Sequence, residues 1–196
     1  LVVTCIYSYG IIFTMGRNYK ISDQSQLHFI SFATVNWIDV FTRSTYKDII
    51  VDSLNYCVKN KGLEVYAWCI MSNHVHLIIG SQTANQSEII RDLKKHTSKT
   101  IVKAIVDDPQ ESRKEWMLWM FEREGKRNGN NQTFQFWQQH NQPVELNSNF
   151  LMEQKLNYIH NNPVEAGFVR EPQNYPYSSA IDYAGQKGMV NIILLS

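Results

Sequence analysis

Three groups of residues in this chain have types and spacings that could do chemistry. The first is His74-Val75-His76. On a strand, residues two apart project from the same face, so both imidazoles would stand together while Val75 enters the opposite layer. Two neutral imidazoles side by side supply half of a divalent-metal site. A bare pair of this kind also describes two histidines on a solvated sheet face. The apolar flanks, AWCIM before and LIIG after, place it instead in a central strand, where adjacent polar groups need partners.

The second group is LNYIHNNPVEAGFV, residues 156–169. Tyr158 falls in the last turn of an expected helix. Pro163 disfavours helical geometry at Asn162, so the spacing predicts a helix that stops near there. Asn162 lies four residues beyond Tyr158 and would share its face only if the helix persists that far. A tyrosine at a helix end can equally be a packing residue. His160 falls on a different side of the helix and reads as structural or DNA-contacting.

The third group is a basic stripe. Arg91, Lys95, Lys99 and Lys103 recur every four residues, with Lys94 and His96 beside them. A solvated helix face would look similar, but Glu88 and Asp92 are the only acids close by. A phosphate backbone is a suitable partner for such a line of charge.

The elements that must position these groups follow from periodicity. Residues 27–35 read as a strand. Residues 43–59 read as a helix with Ser44 as candidate N-cap and Tyr46, Ile49, Ile50, Leu54 and Cys57 on its apolar side. Lys61-Gly62 ends it. Residues 63–70 and 74–80 read as an antiparallel pair joined by Met71-Ser72-Asn73. Residues 86–106 are helical, with Ile89, Ile90, Leu93, Thr97, Ile101 and Ile105 turned inward. Residues 111–124 form a further helix bearing Trp116, Leu118, Trp119 and Phe121, and 125–132 a polar loop. A strand at 133–137 continues after a bend at 144–146, and Ser148 opens the helix carrying Tyr158, bounded by Pro163 and Gly167. This order predicts an α+β fold, a ferredoxin-like antiparallel sheet with helices packed on one face.

Bulk properties narrow the class. The 196 residues are 43% hydrophobic and 19% charged, enough for one domain with a sizeable core. The formal net charge of +1 gives no overall electrostatic pull toward nucleic acid, so local clusters must carry it. Ten tyrosines, nine phenylalanines and five tryptophans suit a core and also base stacking, for which Trp116, Trp119 and Trp137 are candidates. Cys5, Cys57 and Cys69 suggest neither a disulfide framework nor a zinc knuckle, and Cys69 reads as a buried small hydrophobe. A reducing, cytoplasmic setting is the expectation. The apolar start is too short and too interrupted to span a bilayer and lacks the form of a secretory signal. Residues 1–14 are expected to be an extension outside the fold, 15–185 a single domain and 186–196 a C-terminal tail.

Together AWCIMSNHVHLII (67–79) and YIHNNPVEAGFV (158–169), followed by YPYSSAIDY (175–183), resemble the single-tyrosine HUH transposases of the IS200-like type, and among these the REP-associated tyrosine transposases. RDLKKHTSKTI (91–101) and FWQ (136–138) fit the same pattern, and the likeness runs from about residue 26 to 183. Ser72 stands where the family commonly has proline, and Glu165 where a basic residue is usual.

The resemblance implies an HUH endonuclease fold and a specific chemistry. His74 and His76 would ligate Mg²⁺ or Mn²⁺, and Asn162 matches a third, carboxamide ligand. Tyr158 would be the nucleophile, making a 5′-phosphotyrosine and releasing a 3′-hydroxyl on single-stranded or hairpin DNA. Tyr46 and Tyr66 read as core, and Tyr175, Tyr177 and Tyr183 as packing or stacking residues. Arg91, Lys94, Lys95, Lys99 and Lys103 would track phosphates. No membrane partner is expected, and the chain would act as a monomer or homodimer. The alternative is a domesticated hairpin-DNA-binding protein without strand transfer. A metal-binding nucleic-acid module that does not use Tyr158 is a further rival.

Overall fold

The computed structural model describes residues 21–128, 133–139, 141 and 143–195. Residues 1–14, expected as an extension, lie outside this set, as do residues 129–132 of the loop expected at 125–132.

The elements run β1 (His28–Ala33), α1 (Ser44–Lys61), β2 (Leu63–Ile70), β3 (His74–Ser81), α2 (Gln86–Asp107), α3 (Lys114–Arg127), β4 (Val144–Glu145), α4 (Asn149–Glu165) and α5 (Ala180–Tyr183). Four antiparallel strands form one sheet in the order β2-β3-β1-β4. The histidine strand β3 is therefore central, flanked by Ser31 and Cys69 at the level of His76. The α+β sheet is the one expected from the sequence.

One face of the sheet carries the main core. Ile30, Phe32, Val65, Trp68, Ile70, Val75, Leu77 and Ile79 pack there against α1, α2 and α3. The other face holds Phe29, Ala67, Cys69, Met71 and Ile78 against Ile159 and Leu156 of α4. The sequence expectation put the helices on one face. That holds for α1 and α2, and α4 adds a layer on the opposite one. A bulge between Val65 and Ala67 lets Tyr66 and Ala67 both face α4, which sends Trp68 to the main core and Cys69 to the α4 side.

Four local expectations are corrected. Ser44 is the first residue of α1, not its cap; Arg43 occupies that position, with no side-chain capping bond. α3 continues to Arg127, into the segment expected as loop. Residues 133–137 make an isolated bridge, Thr34 with Trp137, rather than a strand: the Val35 N–H donates to the Phe136 carbonyl and the Gln138 N–H to the Ala33 carbonyl, but the Gln135 N–H turns away to the Phe121 carbonyl, and the Trp137 indole N–H reaches Thr97 Oγ1 at 3.1 Å. α4 does not stop before Pro163. Ser148 caps its start, accepting from the Leu151 N–H, and helical geometry runs through Pro163 to Glu165.

Pro163 falls in the last turn, where it removes a single helical donor. The end is then closed by a Schellman pair: the Phe168 N–H donates to the Pro163 carbonyl and the Gly167 N–H to the Val164 carbonyl. Gly167 takes the left-handed conformation this requires, at φ 75°.

The C-terminal segment belongs to the fold. Ile70 N–H donates to the Tyr177 carbonyl and Ile193 N–H to the Val65 carbonyl, so the chain covers both ends of the exposed edge of β2. Val190 is buried in the main core. Tyr175, Tyr177 and Tyr183 pin this segment through hydroxyl bonds to the Ile70 carbonyl, Asp48 and the Tyr66 carbonyl.

Candidate active site

β3 places His74 and His76 on the α4 side of the sheet, with ring centroids 4.6 Å apart. Val75 enters the main core, as strand alternation requires. α4 crosses this face and brings Tyr158 to 5.1 Å from His76, ring to ring, and the Asn162 carboxamide nitrogen to 3.4 Å from His76 Nε2. Phe29 of β1 stacks on His76 and meets Tyr158 edge-on, closing the floor of the site. His74, His76, Tyr158 and Asn162 thus converge, from segments 86 residues apart in the chain.

Burial makes both imidazoles neutral at neutral pH. It pushes His74 down to about 4, against a weaker opposing pull from Asp39. His76 is driven well below the ordinary histidine range by burial, with His74 and Lys155 acting in the same direction. Neutral rings offer lone pairs with no proton to displace.

His76 is also short of partners. Among the described residues its Nδ1 is buried without a hydrogen bond, and its Nε2 has only the long contact with Asn162. Turning the Asn162 amide over would bring its oxygen to the Nε2 lone pair. Two ligands of a small octahedral ion, with bonds of ~2.1 Å, stand roughly 3 Å apart, close to the 3.4 Å found here. The residues therefore fit a divalent cation. Among the described residues no cluster of three or more His, Cys, Asp or Glu exists, so the protein's share of such a site would be two imidazoles and an amide.

Sequence reading missed Lys155, one turn before Tyr158. Its ammonium lies 4.8 Å from the Phe29 ring centroid and 5.7 Å from that of Tyr158. It is half-buried, burial lowers its pKa, and among the described residues it has no carboxylate partner. The signal was present, since i and i+3 share a helix face, but one lysine on an amphipathic helix carries little information.

His160 is structural. It is buried, bonds Ser179 Oγ at 2.9 Å and packs on Tyr183. Ser179 in turn receives the Trp68 N–H at 3.0 Å. This joins α4, β2 and the C-terminal segment at one point.

The basic stripe is not brought to the histidines. α2 packs on the opposite face of the sheet. Lys94 turns inward, bonding the Gln138 carbonyl at 2.9 Å and Asn141 Oδ1 at 2.6 Å, and burial pushes it down to about 8. Arg91 pairs with Glu88 and Asp92, and Lys103 with Asp107. Lys95 and Lys99 remain exposed, lining with His96 and Tyr56 a groove of about 800 Å³ between α1 and α2. Trp137 is buried core, whereas Trp116 and Trp119 are exposed on α3.

Comparison with known proteins adds a family. A family model described as "Transposase IS200 like" matches residues 22–124, over half of the chain. The chain belongs to the IS200-like transposase family. The match contains the histidine pair and α2, and ends before α4. A search of curated proteins returns no match.

Among solved structures, a REP-associated tyrosine transposase bound to a REP hairpin is similar with a TM-score of 0.60 at 16% identity, covering 94% of each chain. A Deinococcus radiodurans protein described as a transposase candidate gives a TM-score of 0.44 at 19% identity, over 76% of this chain and 97% of that one. The first, covering 94% of this chain, extends the shared fold beyond the family match and across α4. As an IS200-like transposase, the chain is an enzyme acting on DNA. Among the described residues no helix is long and apolar enough to cross a membrane.

Proposed function

We propose that this transposase cuts and rejoins single-stranded DNA, at or beside a hairpin, through Tyr158 with a divalent cation held by His74, His76 and Asn162. The observation that carries the reading is the convergence of these four side chains on one face of the sheet, with both imidazoles neutral.

Bound Mg²⁺ or Mn²⁺ would supply charge withdrawal from, and orientation of, the scissile phosphate. The chain's own residues do the rest. Tyr158 presents its ring from α4, 5.1 Å from the His76 ring and edge-on to Phe29. Attack forms the phenol-oxygen–phosphorus bond and breaks the bond to the 3′ oxygen. The phenolic proton passes to solvent, and the leaving oxygen takes one up to become a 3′-hydroxyl. A free tyrosine is a poor nucleophile near neutrality, with a pKa of about 10. The Lys155 ammonium, half-buried beside it, supplies positive charge where phosphate and phenolate charge gather. The phosphotyrosine keeps the energy of the cut bond, so a 3′-hydroxyl can reverse the step on another strand.

DNA meets the protein on two surfaces. The strand to be cut lies over Phe29, Lys155 and the histidines. Lys95 and Lys99, across the sheet, suit the backbone of a flanking duplex stem.

The test is a cleavage assay on hairpin DNA with unpaired flanks taken from beside the gene, in Mg²⁺ or Mn²⁺, comparing wild type with Tyr158→Phe. A covalent protein–DNA adduct on a denaturing gel, lost in the variant and in EDTA, is the expected result. Hairpin binding with no adduct from wild type would replace this reading with a DNA-binding protein lacking strand transfer.

A further inference from the structure

The turn before the histidine strand is held more firmly than a connection needs. The Asn73 side-chain amide donates to the Trp37 carbonyl at 3.1 Å and to Asp39 Oδ1 at 3.0 Å. Both of its N–H bonds are thereby used, which fixes the orientation of the amide: its oxygen faces His74 Nδ1, at 2.7 Å. An amide oxygen only accepts, so His74 Nδ1 must carry the proton. The ring's lone pair is then on Nε2.

The partners of Asn73 are themselves fixed. Ser72 Oγ donates to the same Asp39 oxygen at 2.6 Å. The Asn73 carbonyl receives the Thr34 N–H at 2.9 Å and the Thr34 hydroxyl at 3.2 Å. Phe41 N–H donates to the Ser72 carbonyl. The Trp37 carbonyl is aimed by an unusual backbone: Asn36 and Trp37 both have positive φ, 52° and 54°, a conformation that non-glycine residues avoid. The Trp37 ring meets His74 edge-on at 5.8 Å. A strained loop and a turn thus converge on one imidazole.

We propose that Asn73, held by Asp39 and the Trp37 carbonyl, is a positioning residue that keeps His74 in its Nδ1-protonated tautomer and so reserves Nε2 as the ligand atom. This rests on the reading of His74 as a cation ligand. An outer partner that fixes tautomer and orientation raises the affinity of a ligating histidine, and losing it typically costs about 10–100-fold. Ser72, a turn residue that touches no part of the site, contributes by orienting Asp39.

The test begins on metal-free, ¹⁵N-labelled protein, where long-range ¹H–¹⁵N spectra show which nitrogen of each ring is protonated. Wild-type His74 is expected with its proton on Nδ1. Asn73→Ala is expected to populate the Nε2-protonated form and to weaken Mn²⁺ binding, read by electron paramagnetic resonance, by about 10–100-fold. Asp39→Ala, at an exposed position, is expected to do the same to a smaller degree and covers the case in which Asn73→Ala does not fold. An Nε2-protonated His74 in wild type overturns the proposal. So does an unchanged tautomer in the folded variants. Failure of wild type to bind Mn²⁺ at all would overturn the cation-ligand reading, and the tautomer result distinguishes that failure from this one.

Discussion

Acidifying the metal-free protein from pH 7.5 to pH 5 is expected to destabilise it steeply, and His160 supplies a definable part of the loss. Its ring is buried between α4 and the C-terminal segment, which pushes it from 6.5 down to about 4. The folded state therefore refuses a proton that the unfolded chain accepts. Stability is full above the unfolded value, falls as pH drops below 6.5, and levels off below about 4. With those two values, the loss from this residue is about 0.8 kcal/mol at pH 6 and about 2 kcal/mol at pH 5. His74, shifted as far by burial, contributes a similar amount, and His76 acts in the same direction. Against a total of about 5–15 kcal/mol for a domain, this is a large fraction.

The assay is urea unfolding in EDTA at pH 7.5, 6 and 5, for wild type and His160→Gln. The variant starts less stable, having lost a packed ring, but its pH dependence should be shallower by about 2 kcal/mol at pH 5. A wild-type stability that is flat between pH 7.5 and 5 would refute the reasoning. So would a variant with the wild-type slope, since the titrating group would then lie elsewhere.

Other perturbations follow from the same geometry. Lys155→Met should lower adduct formation by roughly 10–100-fold in timed cleavage assays while hairpin binding is retained, with Lys155→Arg recovering part of the rate; a variant as fast as wild type removes Lys155 from the chemistry. Removing Lys95 and Lys99 together should make hairpin binding less sensitive to salt, the slope of log affinity against log salt becoming shallower by roughly 0.9 for each phosphate no longer neutralised. Fluorescence anisotropy across a salt series reads that slope, and cleavage of a short unpaired oligonucleotide should be unchanged. Lys94→Met should instead lower the melting temperature without changing the slope, because its ammonium is bonded to Gln138 and Asn141. Gly125→Ala should destabilise the protein by about 1–3 kcal/mol or more in thermal melts, because an added Cβ would stand 2.6 Å from the Phe134 backbone, which cannot swing away as a side chain would.

β1, β2, β3 and the long helices are legible in the sequence because periodicity and punctuation agree, whereas the strand expected at 133–137 is not one. β2 and β3 sit where alternation and the turn at 71–73 put them, and α1 stops at the left-handed Gly62. The histidine pair is legible for the same reason, since strand alternation decides its face. What the sequence withholds is tertiary. Nothing in the pattern of residues 149–165 says which face of the sheet they cover, because the helix is half-buried by a satellite core whose partners, Phe29, Ala67 and Ile78, come from three different strands. The stripe on α2 reads as one surface, yet Lys94 differs from Lys95 only by 100° of helix rotation, and that rotation buries it.

Asn162 shows how a sound local rule can be outweighed. Proline disfavours helical geometry in its predecessor, and on that ground α4 should end before the carboxamide can face His76. The rule concerns the steric cost at one residue. In α4 that cost falls in the last turn, where one donor fewer matters little, and the Schellman bonds at Gly167 and Phe168 close the helix two residues beyond its end at Glu165. Continuing the helix through Pro163 carries Asn162 one turn past Tyr158, on the same face, and delivers its amide to His76. Had the helix broken at Asn161, Tyr158 could still have met the histidines, but the carboxamide would not. Pro163 and Gly167 together therefore set how far the helix runs past the tyrosine. Gly167→Ala, which penalises the left-handed closing residue, is expected to loosen Asn162 before it disturbs Tyr158. The measurement is Mn²⁺ affinity beside adduct formation at saturating Mn²⁺: affinity should fall while the saturated rate holds, and a variant with wild-type affinity would show that the helix end does not position the amide.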